Sequence, residues 1–383
     1  MSFADALSGP GLAAVAEFKR RSPSMGDIRP AARVDEIVPA YTRGGASAIS
    51  VLVDERFAGS VDDLRAARAV THVPLLAKGF FSTEEHLREL REAGADAALL
   101  ILRDLDDETT ARLVGYAETI GLDTLVEAHD MEELHRAMRL GDRVIGVNAR
   151  DLATFAIDRR EQLRLVSLAR ADVVIAESAV QSRAQAAEAE LAGADAVLVG
   201  TSLMQADDPE ATLRDLISRP LVKVCGLTRQ EDVDVAVDAG ADLLGFIFAE
   251  GSPRRAPAVL DVPSTALSVG VFVGEAEEVG ADLTQVYPAA AGKVRGRHGL
   301  LFRGESPVAI VWDQPWDDHD PDHWELAPEA GRLVLAGRLG PDNVRAAIDA
   351  VHPWAVDAAS RLESAPGIKD HAKVRAFVQE AHA

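Results

Sequence analysis

The sequence predicts an α/β protein made of two (β/α)8 TIM barrels in tandem, the second shortened and with its closure left open. Three observations carry this. A phrase recurs as RGGASAISVLV (43–53), EAGADAALLIL (92–102), LAGADAVLVG (191–200) and DAGADLLGFIF (238–248). In each, a helix-like stretch stops at a glycine, which tolerates the left-handed backbone that ends helices. The unbroken apolar run that follows suits a strand buried on both faces of a parallel sheet. Second, 383 residues exceed one comfortable hydrophobic core. Third, a new series of apolar runs starts after Pro220, which sets the expected domains at 1–219 and 220–383.

Taken in order, the first 218 residues hold eight runs: AVAEFK, SAISVLV, VPLLAK, AALLIL, DTLVEA, VIGVN, VVIAES and AVLVG. Most are separated by an amphipathic stretch such as STEEHLRELREAG (82–94). Eight βα units in this length match a lean barrel. A doubly wound sheet would want fewer strands and a glycine-rich turn after the first, which is absent. The second series reads VKVCG, LLGFIF and SVGVFV, then a middle (roughly 275–330) rich in Asp, Pro and Trp. It resumes with RLVLAG and AVDAAS and closes with a helix from about 369.

Composition narrows the function. The net charge of −22 repels nucleic acid and anionic membranes. An anionic substrate must therefore meet local cations or backbone N–H groups. No apolar run approaches a membrane span, and MSFADALSGP has no basic region followed by an apolar stretch. The single cysteine forms no internal disulfide. The expectation is a cytoplasmic monomer acting on small phosphorylated substrates, with no nucleic-acid or membrane partner.

Polar residues gather at strand ends, where a parallel barrel keeps its active site. In AEFK, Glu17 and Lys19 are two apart and share one side of the strand. Lys78 ends VPLLAK, Glu127 nearly ends DTLVEA, Asn148 ends VIGVN, and Glu177 with Ser178 ends VVIAES. Inward charges cost several kcal/mol unless paired or used. Of 40 basic residues only six are lysines, and 1–219 holds two, Lys19 and Lys78. An amine donates a proton where a guanidinium does not. The bland reading is a structural Glu17–Lys19 ion pair. Gly200 and Thr201 follow the last strand, at the place where barrels bind phosphate, or else form a simple turn and cap. Arg20, Arg21 and Ser22 after the first strand could add contacts. Cys225 read alone is a buried filler.

AEFKRRSPSMG, VLVDERFAGS, LLAKGFF, LVEA, GVNARDL, VIAESAV and VLVGTSLM, in this order, resemble the indole-3-glycerol-phosphate synthase family across nearly all of residues 11–205. KVCGLTRQEDVDVAVDAGADLLGFIFAEGSPR resembles the start of phosphoribosylanthranilate isomerase, and VLAGRLGPDNV with VDAASRLESAPGIKD its end. Such a pair is fused in this order in bacteria, for two successive steps of tryptophan biosynthesis. The resemblance implies that the first half closes the ring of carboxyphenylamino-deoxyribulose phosphate with loss of carbon dioxide and water. Lys78 would be the general acid, Glu127 the proton carrier of dehydration, and Lys19 a neighbour of the substrate carboxylate and hydroxyls. Glu17 and Asn148 would position the intermediate, beside Glu177. Ser22, Ser178, Gly200 and Thr201 would hold phosphate, with Arg150 a further contact. No cofactor is implied.

In the second half the resemblance implies an Amadori rearrangement of phosphoribosylanthranilate. Cys225 would be the base and Asp313, ending PVAIVWD, the acid. Arg254 and His298 would contact substrate, while Gly337 and Ser360 lie in the phosphate motifs. Departures are present throughout. Gly79 replaces an acidic residue and Ala179 the glycine of ESG. GRL (337–339) and SRLE (360–363) stand for GGL and SGVE, QPWDDHDPDH stands for a glycine-rich loop, and only 14 residues separate His298 from Asp313. The competing expectation keeps the synthase and makes the second domain a structural or interaction module without isomerase activity.

Overall fold

The computed structural model describes residues 1–150, 157–288, 298–313, 324 and 327–383. The chain forms two compact units, Met1–Gln181 with Ala186–Ile217, and Ser182–Gln185 with Ser218–Ala383.

The first unit contains a closed barrel of eight strands: β1 Ala13–Phe18, β2 Ala48–Leu52, β3 Leu75–Lys78, β4 Ala97–Ile101, β5 Asp123–Ala128, β6 Val144–Asn148, β7 Val173–Glu177 and β8 Ala196–Val199. All neighbours pair in parallel, and β1 closes on β8. The recurring phrase has a physical cause. Gly45, Gly94, Gly193 and Gly240 all have positive φ, between 94° and 106°. The alanine after each donates its N–H back to a carbonyl of the last helical turn: Ala46 to Tyr41, Ala95 to Leu90, Ala194 to Ala189 and Ala241 to Ala236. This is the reversal that ends a helix and turns the chain into the next strand. The aspartate that follows in three copies is also used. Asp96, Asp195 and Asp242 accept the N–H of Leu75, Val174 and Val222 in the preceding strand of their barrel.

Alternation along the strands sets two layers. One set, including Ala14, Val51, Ala77 and Val126, packs under the helices. The other, including Val15, Leu76, Leu99, Leu125 and Ile175, fills the lumen. Phe3 and Leu7 of the short helix Phe3–Leu7 are fully buried in that lumen cluster.

The second unit also contains a closed eight-stranded barrel: β9 Leu221–Cys225, β10 Leu243–Ile247, β11 Leu267–Val273, β12 Leu283–Tyr287, β13 His298–Arg303, β14 Ser306–Asp313, β15 Leu333–Ala336 and β16 Ala355–Ala358. The shortened chain thus closes, which settles the open expectation. It does so with a reversed strand: β13 runs antiparallel to both β12 and β14. The β13–β14 hairpin turns at Gly304 and Glu305, two residues where a βα crossover needs a dozen or more. The QPWDDHDPDH segment lies outside the described residues.

Candidate active sites

In the first barrel, β1 turns Glu17 inward and Lys19 follows just past its end, 2.7 Å from Glu17 Oε1. The ion pair of the bland reading exists, but it sits in the barrel mouth beside other charges. The Nζ of Lys78, at the end of β3, lies 2.5 Å from Glu177 Oε2, 3.6 Å from Glu127 Oε2 and 3.7 Å from Glu17 Oε2. One buried ammonium is ringed by three buried carboxyl groups. Asn148 donates to Glu127 Oε2 (3.2 Å), and its Oδ1 accepts from Ser178 Oγ (2.8 Å) and the Arg150 N–H (3.0 Å). Two glycines make this crowding feasible. A Cβ at 146 would stand 2.1 Å from Glu177 Oε1, and one at 200 would stand 2.5 Å from Glu17 Oε1.

Burial and neighbours push these groups apart in acidity. Burial disfavours the Lys78 ammonium, but Glu177, Glu127 and Glu17 together hold it well above the ordinary lysine range. Burial raises the Glu177 carboxyl, Lys78 draws it back and Glu127 raises it again, leaving it at about 8. For Glu127 the burial penalty is outweighed by Lys78 and His129, and for Glu17 by Lys19 and Lys78, so both sit below the ordinary range. At neutral pH the mouth thus keeps protons on Lys78 and Glu177 beside ionised Glu127 and Glu17, the separation that acid–base chemistry requires.

Glu17, Lys19, Lys78, Glu127 and Asn148 floor a cavity of about 920 Å³ whose rim carries Ser22, Arg150, Ser178, Gly200 and Thr201. Ser22 lies in the small Arg21–Ser22/Gly26–Asp27 hairpin after β1, and Arg150 Nη1 reaches across to Ser24 Oγ at 2.7 Å. Arg20 is turned to Asp63 instead. Ser178 and Ala179 are consecutive left-handed residues, with φ of 68° and 60°. Ten of the eleven first-barrel candidates thus line one cavity, and the eleventh, Glu177, is buried against Lys78. The sequence reading passed over His129, whose ring lies 3.2 Å from Glu127 Oε1 and 2.9 Å from Glu133 Oε2. Its signal was the spacing in EAHDMEE, with an acid two residues before and another four after.

In the second barrel, Lys223 and Cys225 share the lumen side of β9. Lys223 Nζ donates to Asp357 Oδ2 (2.7 Å) and Gln285 Oε1 (2.8 Å). Gln285 Nε2 donates to Tyr287 Oη (2.8 Å), which donates to Asp313 Oδ2 (3.0 Å). A hydrogen-bonded chain therefore runs from β16 through β9 and β12 to Asp313 at the end of β14. Gly245 keeps clear of Cys225, whose Sγ would lie 2.7 Å from a Cβ there. Burial raises the thiol pKa and Asp357 adds to it against Lys223, so Cys225 ends above the ordinary range and is a thiol at neutral pH.

Other candidates of this half are placed differently. Arg254 makes a bidentate pair with Glu363 (2.8 and 2.9 Å). His298 opens β13 with its ring edge-on to Trp312 at 4.7 Å, and Trp312 belongs to the layer under the helices rather than the lumen. The lumen position at the end of β12 is filled by Tyr287, a residue the sequence reading did not single out. Gly337 has positive φ, as does Arg338 beside it, and Ser360 opens a single 3-10 turn. Arg361 pairs with Asp342 at 2.7 Å.

Residues 1–216, more than half the chain, match the family model for indole-3-glycerol phosphate synthase. The chain belongs to this family. Residues 323–380 match the model for N-(5'-phosphoribosyl)anthranilate isomerase. The indole-3-glycerol phosphate synthase of Streptomyces griseus is 45% identical over 56% of this chain and 80% of its own length. That of Mycobacterium avium is 43% identical over 56% of this chain and 79% of its own length. The multifunctional tryptophan biosynthesis protein of Schizosaccharomyces pombe is 31% identical over 99% of this chain, which spans 60% of that protein. The solved phosphoribosyl anthranilate isomerase of Thermus thermophilus is 26% identical, covering 42% of this chain and 97% of its own, with a TM-score of 0.32.

Proposed function

We propose that the chain is a bifunctional enzyme of tryptophan biosynthesis. The 1–219 barrel closes the ring of carboxyphenylamino-deoxyribulose phosphate to indole-3-glycerol phosphate, and the 220–383 barrel isomerises phosphoribosylanthranilate. The observation that carries the reading is Lys78 Nζ, on the cavity floor, within 3.7 Å of the Glu177, Glu127 and Glu17 carboxyls.

Lys78 donates its proton to the substrate ketone oxygen as the ring carbon bearing the carboxylate attacks the ketone carbon. The new bond drives out carbon dioxide and restores the aromatic ring. Glu177, at 2.5 Å and held partly protonated, is placed to restore the Lys78 proton. Loss of the hydroxyl as water then needs both an acid and a base: Lys78, recharged by Glu177, gives the departing hydroxyl its proton, and Glu127, held ionised, takes the proton released by the new ring. Lys19 faces the substrate carboxylate, Glu17 fixes Lys19, and Asn148 fixes Glu127. Ser22, Ser178, Gly200 and Thr201 hold the phosphate, with Arg150 at the rim. In the second barrel Cys225 takes the sugar C2 proton and Asp313, held by Tyr287, protonates the ring oxygen. The same reading makes the protein a cytoplasmic monomer that uses no cofactor, and its lone cysteine fits a reducing compartment.

The test supplies each intermediate separately and follows anthranilate and indole fluorescence. Lys78→Met should lose ring closure by at least about 10³-fold while keeping its circular dichroism. Cys225→Ser should lose the isomerisation alone, and the wild-type isomerisation should speed up as pH rises toward the thiol's range. Unchanged ring closure in Lys78→Met overturns the first assignment, and a wild type inert on phosphoribosylanthranilate overturns the second.

A further inference from the structure

His129 follows β5 directly and does not line the cavity, yet its ring is buried between two carboxylates. Its side chain is 2% exposed. Nε2 lies 3.2 Å from Glu127 Oε1 and Nδ1 lies 2.9 Å from Glu133 Oε2. Glu133, in the first turn of the helix Met131–Leu140, also accepts the His129 backbone N–H at 2.8 Å. Arg103, just past β4, reaches the other oxygen of Glu133 at 3.2 Å. The charged groups facing this ring are thus Glu127, backed by Lys78 and Asn148, and Glu133, backed by Arg103.

A neutral imidazole carries one N–H, which would leave the other nitrogen's lone pair against a carboxylate. Only the imidazolium presents a donor to each side. Lys19 then pairs with Glu17, the His129 ring faces Glu127 at 3.2 Å, and Lys78 lies against Glu177. Burial works against the cation, but Glu127 and Glu133 raise its pKa to about 9.

We propose that His129, clamped as an imidazolium by Glu133, is a positioning residue that keeps Glu127 ionised and turned so that Oε2 meets the substrate. Oε2 is the oxygen beside Lys78 and Asn148. Without the cation, burial drives Glu127 toward its protonated form and the dehydration loses its base. This inference rests on the synthase reading.

The test is the pH profile of ring closure in the full-length protein carrying His129→Gln. An opposite charge within this distance lowers a carboxyl pKa by one unit or more, so the acid limb should move up by about one pH unit. On the acid side of the limb kcat should fall about tenfold with KM within about twofold, and the loss should be recovered by neutral pH, where the carboxylate is ionised in both enzymes. Glu133→Gln should move the limb in the same direction by less. A His129→Gln enzyme whose loss is equal at every pH, or that keeps the wild-type limb, overturns the proposal. Nitrogen NMR of the wild-type imidazole gives a second reading that needs no turnover: both nitrogens should stay protonated at pH 7.5, and a neutral ring overturns the clamp. A wild type without ring closure would overturn the synthase reading instead, while the imidazole spectrum still judges the clamp.

Discussion

Ala179 holds a left-handed backbone, φ 60°, directly after Ser178 at φ 68°. Its carbonyl is pinned there by Arg159 Nη1 at 3.1 Å. An L-residue in this region pays about 1–2 kcal/mol against glycine. Glycine in turn gives back about 0.4–1 kcal/mol through the freer unfolded chain. The strain is the larger, so Ala179→Gly should stabilise the first barrel by about 0.5–1 kcal/mol. A urea midpoint unchanged or lowered would mean that the loop relaxes without strain. The sequence showed ESA where the family has ESG. It could not show that the residue before it is left-handed as well, because serine carries no mark of such a conformation.

At the scale of strands, small residues are what allow charged ones to meet. Gly146 in the middle of β6 faces Glu177 on β7, and a Cβ there would stand 2.1 Å from Oε1 and 3.1 Å from Leu125 Cδ1. Glu177 is fully buried and its Oε2 is already bonded to Lys78, so it has little room to yield. Gly146→Ala should cost about 1–3 kcal/mol, the usual penalty for overpacking. It should also slow ring closure by prising Glu177 from Lys78. A variant that melts and turns over like wild type would show that Glu177 can rotate freely. Legibility divides along the same line. Parallel strands buried on both faces give continuous apolar runs, so all eight strands of the first barrel could be read from sequence. In the second barrel, β12 places Gln285 and Tyr287 in the lumen, and β13 alternates exposed His298 and Leu300 with buried Gly299 and Leu301. These patterns break the run, which is why the middle of that domain stayed unread. The candidate site followed the same rule. Charges at the ends of apolar runs stood out, whereas His129 lay beyond its strand and Tyr287 inside a polar one.

For the whole molecule, the acid–base groups set a direction for stability against pH. Several groups of the first barrel hold protons longer in the folded chain than in the unfolded one, and three of them titrate between about pH 4 and 9 with a marked rise. Burial raises Asp142 from 3.8 to about 6, burial with Glu127 leaves Glu177 at about 8 rather than 4.5, and Glu127 and Glu133 bring His129 from 6.5 to about 9. Where the folded state binds more protons, stability falls as pH rises. The His129 contribution is complete below 6.5 and is gone once pH passes about 9. The Asp142 contribution is spent by about 6 and that of Glu177 by about 8. Glu17 and Glu127 act oppositely, since their lowered pKa values contribute stability that is lost only as pH falls below the ordinary carboxylate range. A net charge of −22 adds self-repulsion on the alkaline side. The first barrel should therefore melt highest at mildly acidic pH, about 5–6, and lose stability steadily toward pH 9. In His129→Gln the part of that decline between 6.5 and 9 should flatten. A melting temperature that holds constant or rises from pH 6 to pH 9 would show that these groups do not keep their protons in the folded barrel.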